Sequence, residues 1–244
     1  MIAAIGRHCL TLALLGAAWA CAAAFLSGGF GDRTLFRSSR RALHAVTALL
    51  ACTAGLLITA NLTDDFRLWV VASYSNRTLS AFYKVSALWG SQAGSLLLWA
   101  LVLSAFTSLV LVQYRRSGDV QLPFVAAVLA GIQVFFLAAL NFASHPFTLL
   151  ANPPPDGNGL NPQLQTPLMV IHPPCLYLGY VGFSVPYAFA MAALFTGRLG
   201  DIWIHRTRRW TIFSWFFLGV GILLGSYWAY IELGWGGYWA WDPV

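Results

Sequence analysis

Six long apolar blocks dominate this chain and determine the solvent in which it folds. Each is near or above the ~20 residues that an α-helix needs to cross about 30 Å of hydrocarbon. We therefore predict an all-α integral membrane protein with about six transmembrane helices, forming one membrane domain over residues 1–244. The predicted spans are residues 9–26, 43–60, 96–112, 122–142, 169–194 and 210–231.

The composition agrees with a bilayer environment. Only 9% of the residues are charged and 59% are hydrophobic, whereas about 25% of the residues in a typical soluble domain are charged. The formal net charge of +6 would also suit a nucleic-acid partner. The basic residues, however, stand in short clusters between apolar blocks, where they set membrane topology. We predict a membrane-embedded protein with no nucleic-acid partner.

The basic clusters predict which loops share a side of the membrane. If the N-terminus lies outside, ten basic residues fall in inner segments and four in outer ones, as the positive-inside rule requires. The first block also carries small residues suited to signal-peptide cleavage, but more arginines follow it than precede it, which favours a retained helix. Both termini are then predicted outside. The inner residues are Arg33, Arg37, Arg40, Arg41, Arg115, Arg116, Arg198, Arg206, Arg208 and Arg209, and the outer ones are Arg7, Arg67, Arg77 and Lys84.

The four cysteines predict neither a disulfide framework nor covalent haem attachment, because no two of them form a C-x-x-C pair. The chain is therefore not itself a c-type cytochrome. Its sequence ends at Val244, directly after its most distinctive cluster and without a polar tail. That ending suggests a truncated or split gene product, so that further functional residues are expected elsewhere.

The most distinctive cluster is an external tryptophan-rich segment, residues 232–244. Three tryptophans and a tyrosine fall within seven residues there, interleaved with glycines. In a helix, Trp235 and Trp239 would share a face, as would Tyr238 and Trp241. The segment suits either an aromatic belt at the membrane interface or a platform for a large planar ligand, and its residues alone leave both open.

Three ordered motifs resemble a known family. They are residues 225–244, with Gly-Trp-Gly-Gly-Tyr-Trp-Ala-Trp-Asp-Pro at their centre, residues 83–99, and residues 172–184, which begin His-Pro-Pro-Cys. They resemble the "WWD" haem-handling proteins of cytochrome c maturation and are similar within them to the CcmF and NrfE family of cytochrome c haem lyases. The chain departs at Tyr238, where the family usually has tryptophan, and at Cys175, where it often has methionine.

The resemblance implies a multi-pass protein of the bacterial inner membrane whose functional face is periplasmic. It implies non-covalently bound, b-type haem and assigns no catalytic residue. His172 would be an axial ligand of the haem iron, since imidazole is a common haem ligand. The aromatic platform would comprise Trp235, Tyr238, Trp239 and Trp241, with Trp228 and Asp242 in support.

His172 also has a purely structural interpretation, because a lone histidine near a helix start is often a hydrogen-bonded structural residue. We expect extended backbone at His172 and a fifth helix that begins at Pro173. His145 is an external fallback ligand without a supporting motif. The family's second external histidine, and the intramembrane pair that holds a b-type haem, would lie beyond Val244.

Other residues near the predicted outer face have weaker claims. Trp89 and Trp99 flank small residues, which suits a second site or close helix packing. Lys84 and Arg77 are placed to meet haem propionates or an acidic partner. A carboxylate, Glu232 or Asp242, is expected to fix a histidine tautomer or to cap backbone amides.

The favoured function is the haem-presenting part of a cytochrome c haem lyase, an enzyme only as part of its complex. By the resemblance, haem would come from a membrane-anchored haem chaperone and pass to an apocytochrome c, with thiol-reducing maturation factors as further partners. The alternatives are a haem transporter or channel across the membrane, and a non-catalytic assembly scaffold.

Overall fold

Helices build most of the protein in a computed structural model that describes residues 1–115 and 119–232. A π-helical turn, Ala139–Ala143, extends α6, and a 3₁₀ turn covers Pro162–Leu164. The α-helices of this part of the chain are α1 Ile2–Phe30, α2 Arg33–Leu62, α3 Trp69–Tyr74, α4 Ala81–Gly90, α5 Gln92–Gln113, α6 Leu122–Ala138, α7 Pro167–Gly182, α8 Ser184–Thr196 and α9 Ile202–Glu232.

The prediction of a six-helix membrane protein is confirmed. Six helical segments of the described chain are long and apolar enough to cross a bilayer, and each predicted block lies inside one of them. They are Ile2–Phe30, Arg33–Leu62, Gln92–Gln113, Leu122–Ala143, Pro167–Thr196 and Ile202–Glu232. The chain is thus an all-helical, multi-pass membrane protein.

A two-residue turn joins α1 to α2. Gly31 ends α1 in the left-handed conformation, with φ 73°, and its amide donates to the Ser27 carbonyl at 2.8 Å. A residue with a side chain rarely adopts this φ, whereas glycine does so readily. Asp32 then caps α2 by accepting hydrogen bonds from the Thr34 and Leu35 amides. The turn therefore satisfies its own backbone groups.

Small residues let α1 pack closely in the core. Ala13, Ala17, Ala20 and Ala24 lie on one helical face and are fully buried, and α1 packs there against α2 and α6. The Ser39 hydroxyl on α2 donates to the Ala20 carbonyl at 2.8 Å. Small residues at this spacing bring helix backbones together in membrane bundles, where packing and interhelical hydrogen bonds drive association.

The expectation that the fifth helix begins at Pro173 is wrong. The helix α7 begins at Pro167, and both Pro173 and Pro174 lie inside it. Proline lacks an amide hydrogen, so Pro173 leaves the Met169 carbonyl without its usual intrahelical donor. The indole nitrogen of Trp89 donates to that carbonyl at 2.9 Å. This side chain replaces the missing bond, and His172 is helical rather than extended.

The predicted fifth span consists of two helices that meet at Phe183. Pro186 lies in the first turn of α8, where its missing amide leaves the Gly182 carbonyl unbonded by the helix. The break therefore falls where α7 ends. Phe183 itself keeps right-handed helical angles, so that the two helices follow one another directly.

Two long connections form a cap over one end of the bundle. The cap comprises residues 63–80, which include α3, and residues 144–166. Leu68 and Leu149 form an antiparallel bridge, and the Asn158 amide donates to the Ala72 carbonyl at 2.8 Å. A Cβ on Gly157 would lie 2.0 Å from the Ser75 carbonyl oxygen. Glycine at this position thus permits the two connections of the cap to touch.

The bundle has two distinct ends. At the histidine end lie the cap, His172 and the start of α1, where the Arg7 guanidinium donates to the Phe147 carbonyl at 3.2 Å. At the arginine end, the α5–α6 connection meets the N-terminal part of α9 through the Arg206–Asp119 ion pair. The predicted outer loops thus share one end. Which end faces the periplasm stays a prediction.

Candidate functional site

The helices α7 and α9 cross at very close range because glycines occupy both sides of the contact. A Cβ on Gly179 of α7 would lie 2.5 Å from the Leu218 backbone nitrogen. A Cβ on Gly221 of α9 would lie 2.9 Å from the Leu176 backbone nitrogen. Side chains at these positions would force the helices apart, so the glycines fix how deeply α7 sits against α9.

His172 lies at the end of this crossing that is nearest the cap. Its Nδ1 is 2.7 Å from the Gly221 carbonyl oxygen. A carbonyl oxygen only accepts hydrogen bonds, so Nδ1 must carry the proton. The other ring nitrogen, Nε2, then holds a lone pair, and no hydrogen bond to it occurs within the described residues. Metal-ligating histidines are commonly held in this way, with the ring nitrogen that does not bind the metal donating to a backbone carbonyl.

Gly225 makes room for the imidazole ring. A Cβ there would lie 2.5 Å from the His172 Cε1, which is closer than two carbon atoms can approach. Trp228, one turn further along α9, is nearly parallel to the imidazole, with an interplanar angle of 20° and 6.4 Å between ring centroids. The Trp228 indole donates to the Gln163 carbonyl at 3.2 Å, which links the end of α9 to the cap.

The whole predicted aromatic platform lies outside the described residues. Of the predicted haem-binding residues, the structure describes His172 and Trp228 and places them side by side. The remaining ones are Trp235, Tyr238, Trp239, Trp241 and Asp242. Their grouping with His172 stays a prediction, supported by the path of α9, which carries the chain towards the cap.

His145, the fallback ligand, has the opposite tautomer. The Phe147 amide donates to its Nδ1 at 3.1 Å, so Nδ1 is the acceptor and Nε2 carries the proton of the neutral ring. Partial burial, with a smaller effect from the Arg7 guanidinium, lowers the pKa of His145. Its only lone pair is occupied by a backbone hydrogen bond, which makes the ring a structural element of the cap.

The region of Trp89 and Trp99 is closely packed. The Trp99 ring stacks on Phe136 of α6, with 4.6 Å between ring centroids. The Tyr180 ring of α7 also packs on Trp99, with 4.7 Å between centroids. A Cβ on Gly94 would lie 1.6 Å from the Leu88 carbonyl oxygen. Trp89 bonds Met169. These contacts match the helix-packing interpretation of the motif.

The basic residues Lys84 and Arg77 of the predicted outer loops already have partners. The Lys84 ammonium lies 2.6 Å from the Asp64 carboxylate, and its side chain is only 8% exposed. The Arg77 guanidinium donates to the Pro155 carbonyl at 3.2 Å. Both side chains therefore form contacts within the histidine end of the bundle. The tautomer of His172 is fixed by the Gly221 carbonyl. The expectation that Glu232 or Asp242 fixes a histidine tautomer or caps backbone amides stays a prediction.

Sequence reasoning missed Gly221 and Gly225, although the signal was present. They form a G-x-x-x-G motif, Gly-Ile-Leu-Leu-Gly, within an apolar span. That motif predicts close packing of a transmembrane helix on a neighbour. It identifies α9 as a packing partner but does not reveal that the partner contributes a histidine.

The fold and the site together define an all-helical membrane protein that presents a backbone-oriented histidine at one end of its bundle. A family model described as cytochrome c assembly protein matches residues 89–244. The chain therefore belongs to the cytochrome c assembly protein family.

Individual relatives agree with this assignment. The cytochrome c-type biogenesis protein CcmF of Pseudomonas aeruginosa is 48% identical over 100% of this chain and 37% of its own length. The probable cytochrome c-type biogenesis protein NrfE of Escherichia coli is 43% identical over 81% of this chain and 36% of its own length. A solved structure of the cytochrome c haem lyase CcmF matches 100% of this chain and 38% of its own, with a TM-score of 0.85 and 35% identity. The chain thus spans little more than a third of the relatives it matches.

Proposed function

We propose that this chain takes part in cytochrome c maturation as the haem-presenting part of a cytochrome c haem lyase, with its histidine end at the periplasmic face of the bacterial inner membrane. The observation that carries the proposal is the fixed tautomer of His172. Its Nδ1 is held 2.7 Å from the Gly221 carbonyl, so its Nε2 carries the lone pair that a metal would need. The names of the relatives indicate which metal-containing ligand to expect.

The described residues fit haem as the ligand. A porphyrin iron brings four nitrogen ligands of its own, so a single protein histidine suffices for an axial position. The iron would bind in the plane of the imidazole ring, at Nε2. Trp228 packs nearly parallel to that ring, so it would restrict rotation of the imidazole rather than receive the macrocycle. The proposed platform is the tryptophan-rich segment with Trp235, Tyr238, Trp239 and Trp241, supported by Asp242.

Haem is the substrate in this proposal, and its vinyl groups are the positions to which the cysteine thiols of an apocytochrome c add. The chain itself supplies binding and orientation. Holding two reactants in the correct geometry lowers a barrier by several kcal/mol in favourable cases, so the site needs no acid or base of its own. The proposed partners are a haem chaperone that delivers haem, the apocytochrome c and thiol-reducing maturation factors.

Haem titration of the purified chain in detergent tests the proposal. We expect a Soret band that shifts in the His172→Ala variant, with affinity at least about tenfold lower, a change of about 1.4 kcal/mol. Added imidazole should restore part of the spectrum by filling the vacant axial position. His145→Ala is the matched control and should leave the band unchanged. An unchanged spectrum in His172→Ala would return His172 to a structural role.

Loss of the aromatic platform should affect haem binding differently from loss of the axial ligand. Replacing Trp235 and Trp239 together with alanine removes two rings that bury up to about 150–250 Å² each. Haem affinity should fall, and imidazole should not restore it, because the lost contact is with the macrocycle rather than with the iron. Rescue by imidazole would mean that these rings act through iron ligation and would contradict the proposed platform.

Two further outcomes separate the proposal from its alternatives. Haem that accumulates inside liposomes containing the protein would indicate a transporter. Failure of the wild-type chain to bind haem at all would favour an assembly scaffold.

A further inference from the structure

The arginine end contains a cavity that the haem site does not use. It measures about 770 Å³ and lies between the α1–α2 turn and the α5–α6 connection. Four arginines line it, together with several apolar side chains. The basic residues are Arg33, Arg37, Arg40 and Arg115, and the apolar ones include Phe36, Val120, Leu122 and Pro123.

The positive charge of this cavity is not neutralised by the part of the chain that the structure describes. One carboxylate, Asp119, also lines the cavity, but it forms an ion pair with Arg206. None of the four lining arginines belongs to an ion pair within residues 1–115 and 119–232. The sequence between these ranges is Arg-Ser-Gly and brings no carboxylate.

The arrangement is more specific than membrane topology requires. The positive-inside rule needs basic residues near the ends of spans but does not need them on one face. Here Arg33, Arg37 and Arg40 follow the i, i+4, i+7 spacing that places them on one side of α2. Arg208 and Arg209 lie at the same end of the bundle and do not line the cavity. The lining arginines therefore form a cluster rather than a scattered charge.

The direction of α6 adds to the same positive potential. Its first turn borders the cavity at Leu122, whereas the first turn of α2 is already capped by the Asp32 carboxylate. The N-terminal end of a helix carries a partial positive charge and favours an anion nearby. Several guanidinium groups around one space repel each other unless an anion lies between them. The cavity therefore favours the binding of an anion.

We propose that this cavity binds a phosphate group, supplied by the headgroup of an anionic membrane phospholipid. Guanidinium groups bind phosphate oxygens in pairs through parallel N–H donors. Basic pockets between transmembrane helices near a membrane surface suit such headgroups. The cavity lies at the ends of membrane-spanning helices, and its apolar wall of Phe36, Val120 and Leu122 would border the glycerol and the first acyl carbons.

Lipid titration of the purified, delipidated chain in detergent tests this site, with native mass spectrometry as the readout. We compare phosphatidylglycerol, phosphatidylcholine and inorganic phosphate. Phosphatidylglycerol should bind at least about tenfold more tightly than phosphatidylcholine, because the net negative headgroup gains the attraction of several arginines. The double variant Arg37→Gln/Arg40→Gln should lose that preference. The matched control Arg208→Gln/Arg209→Gln removes the same charge from the same end of the bundle and should keep it.

The outcomes are distinct. Competition of millimolar inorganic phosphate against phosphatidylglycerol would keep the phosphate site but assign it to a soluble anion. Equal binding of the two lipids, or equal loss in both double variants, would overturn the proposal and leave the arginines as topology determinants. If the α2 variant does not accumulate, Arg115→Gln tests the same cavity from the α5–α6 connection, and unchanged lipid preference there would also count against the site.

Discussion

His172 and His145 lie at the same end of the bundle, but different kinds of structure hold them. His172 stands on α7 and bonds across a helix crossing to the Gly221 carbonyl. His145 lies in the cap and accepts a hydrogen bond from an amide two residues away, that of Phe147. The first bond requires Nδ1 to donate and the second requires it to accept. The two rings therefore carry their protons on opposite nitrogens.

The difference shows that the backbone around a histidine decides which nitrogen can bind a metal. A local turn, as at His145, consumes the lone pair that a ligand would need. A carbonyl from a second helix consumes the proton and leaves the lone pair at Nε2. Because this hydrogen bond joins two helices, the orientation of His172 depends on how α7 and α9 pack. Any change at that crossing should affect His172 and leave His145 untouched.

Gly225→Ala should have the largest effect, because its new Cβ would lie 2.5 Å from the His172 ring. Overpacking of this kind costs about 1–3 kcal/mol, and displacement of the ring should lower haem affinity about tenfold or more. Haem titration and thermal unfolding provide the two measurements.

Gly219→Ala is the matched control on the same helix, since a Cβ there meets nothing within 4 Å. It should keep haem affinity and stabilise α9 slightly, because alanine favours a helix over glycine by roughly 1 kcal/mol. Equal haem affinities in the two variants would show that the ring position does not depend on Gly225.

Trp89→Phe should have an intermediate effect on stability. It removes the donor to the Met169 carbonyl that Pro173 leaves free, at a cost of about 1 kcal/mol. In a Pro173→Ala background, the new amide can bond Met169 within the helix, so the same change should cost much less. Thermal unfolding of the four proteins gives the coupling energy. Additive effects would disprove the replacement of a backbone donor by the indole.

The pH dependence of stability should reveal the setting of His145. Burial, with help from Arg7, lowers its pKa in the folded state, so the unfolded chain takes up a proton first as the pH falls. The stabilisation is complete above the unfolded pKa of about 6.5 and is lost as the pH falls through the lower, folded value. Because the ring is partly exposed, the slope should stay well below about 1.4 kcal/mol per pH unit.

His145→Gln is the variant that isolates this effect. Melting temperatures between pH 7.5 and 5.0 should fall less in the variant than in the wild type, at unchanged haem affinity. Parallel curves for the two proteins would mean that another group governs the acid sensitivity.

Cys175→Ser should have the smallest effect. Cys175 is a free, half-buried thiol on α7, three residues after His172, and we predict no chemical role for it. Haem affinity should change less than about twofold, within the range typical of neutral substitutions. A larger loss at normal protein levels would indicate that the thiol takes part.

The sequence predicted the six spans and the grouping of loops because both depend on local composition: long apolar runs and the position of arginines. It singled out His172 as a candidate haem ligand, which stays a prediction, but it assigned this residue to extended backbone, since two prolines usually end a helix. The Trp89 indole, which donates to the Met169 carbonyl in place of the missing proline amide, lies on another helix. The sequence around His172 therefore does not reveal it. The bond from His172 to Gly221 joins residues 49 positions apart, so no neighbouring sequence indicates it.

The turn between α1 and α2 has a consequence for biogenesis. Gly31 and Asp32 connect two long helices with their backbone groups bonded locally, and the arginines that follow resist transfer through hydrocarbon. The two helices cannot be separated by a translocated loop, so we expect them to leave the insertion machinery as one hairpin. The N-terminal end of α1, with its single Arg7, should then cost less free energy to transfer across the membrane than the arginine-rich segment that follows the turn. A lengthened turn should let α1 insert alone, which glycosylation-site mapping of nascent chains would detect.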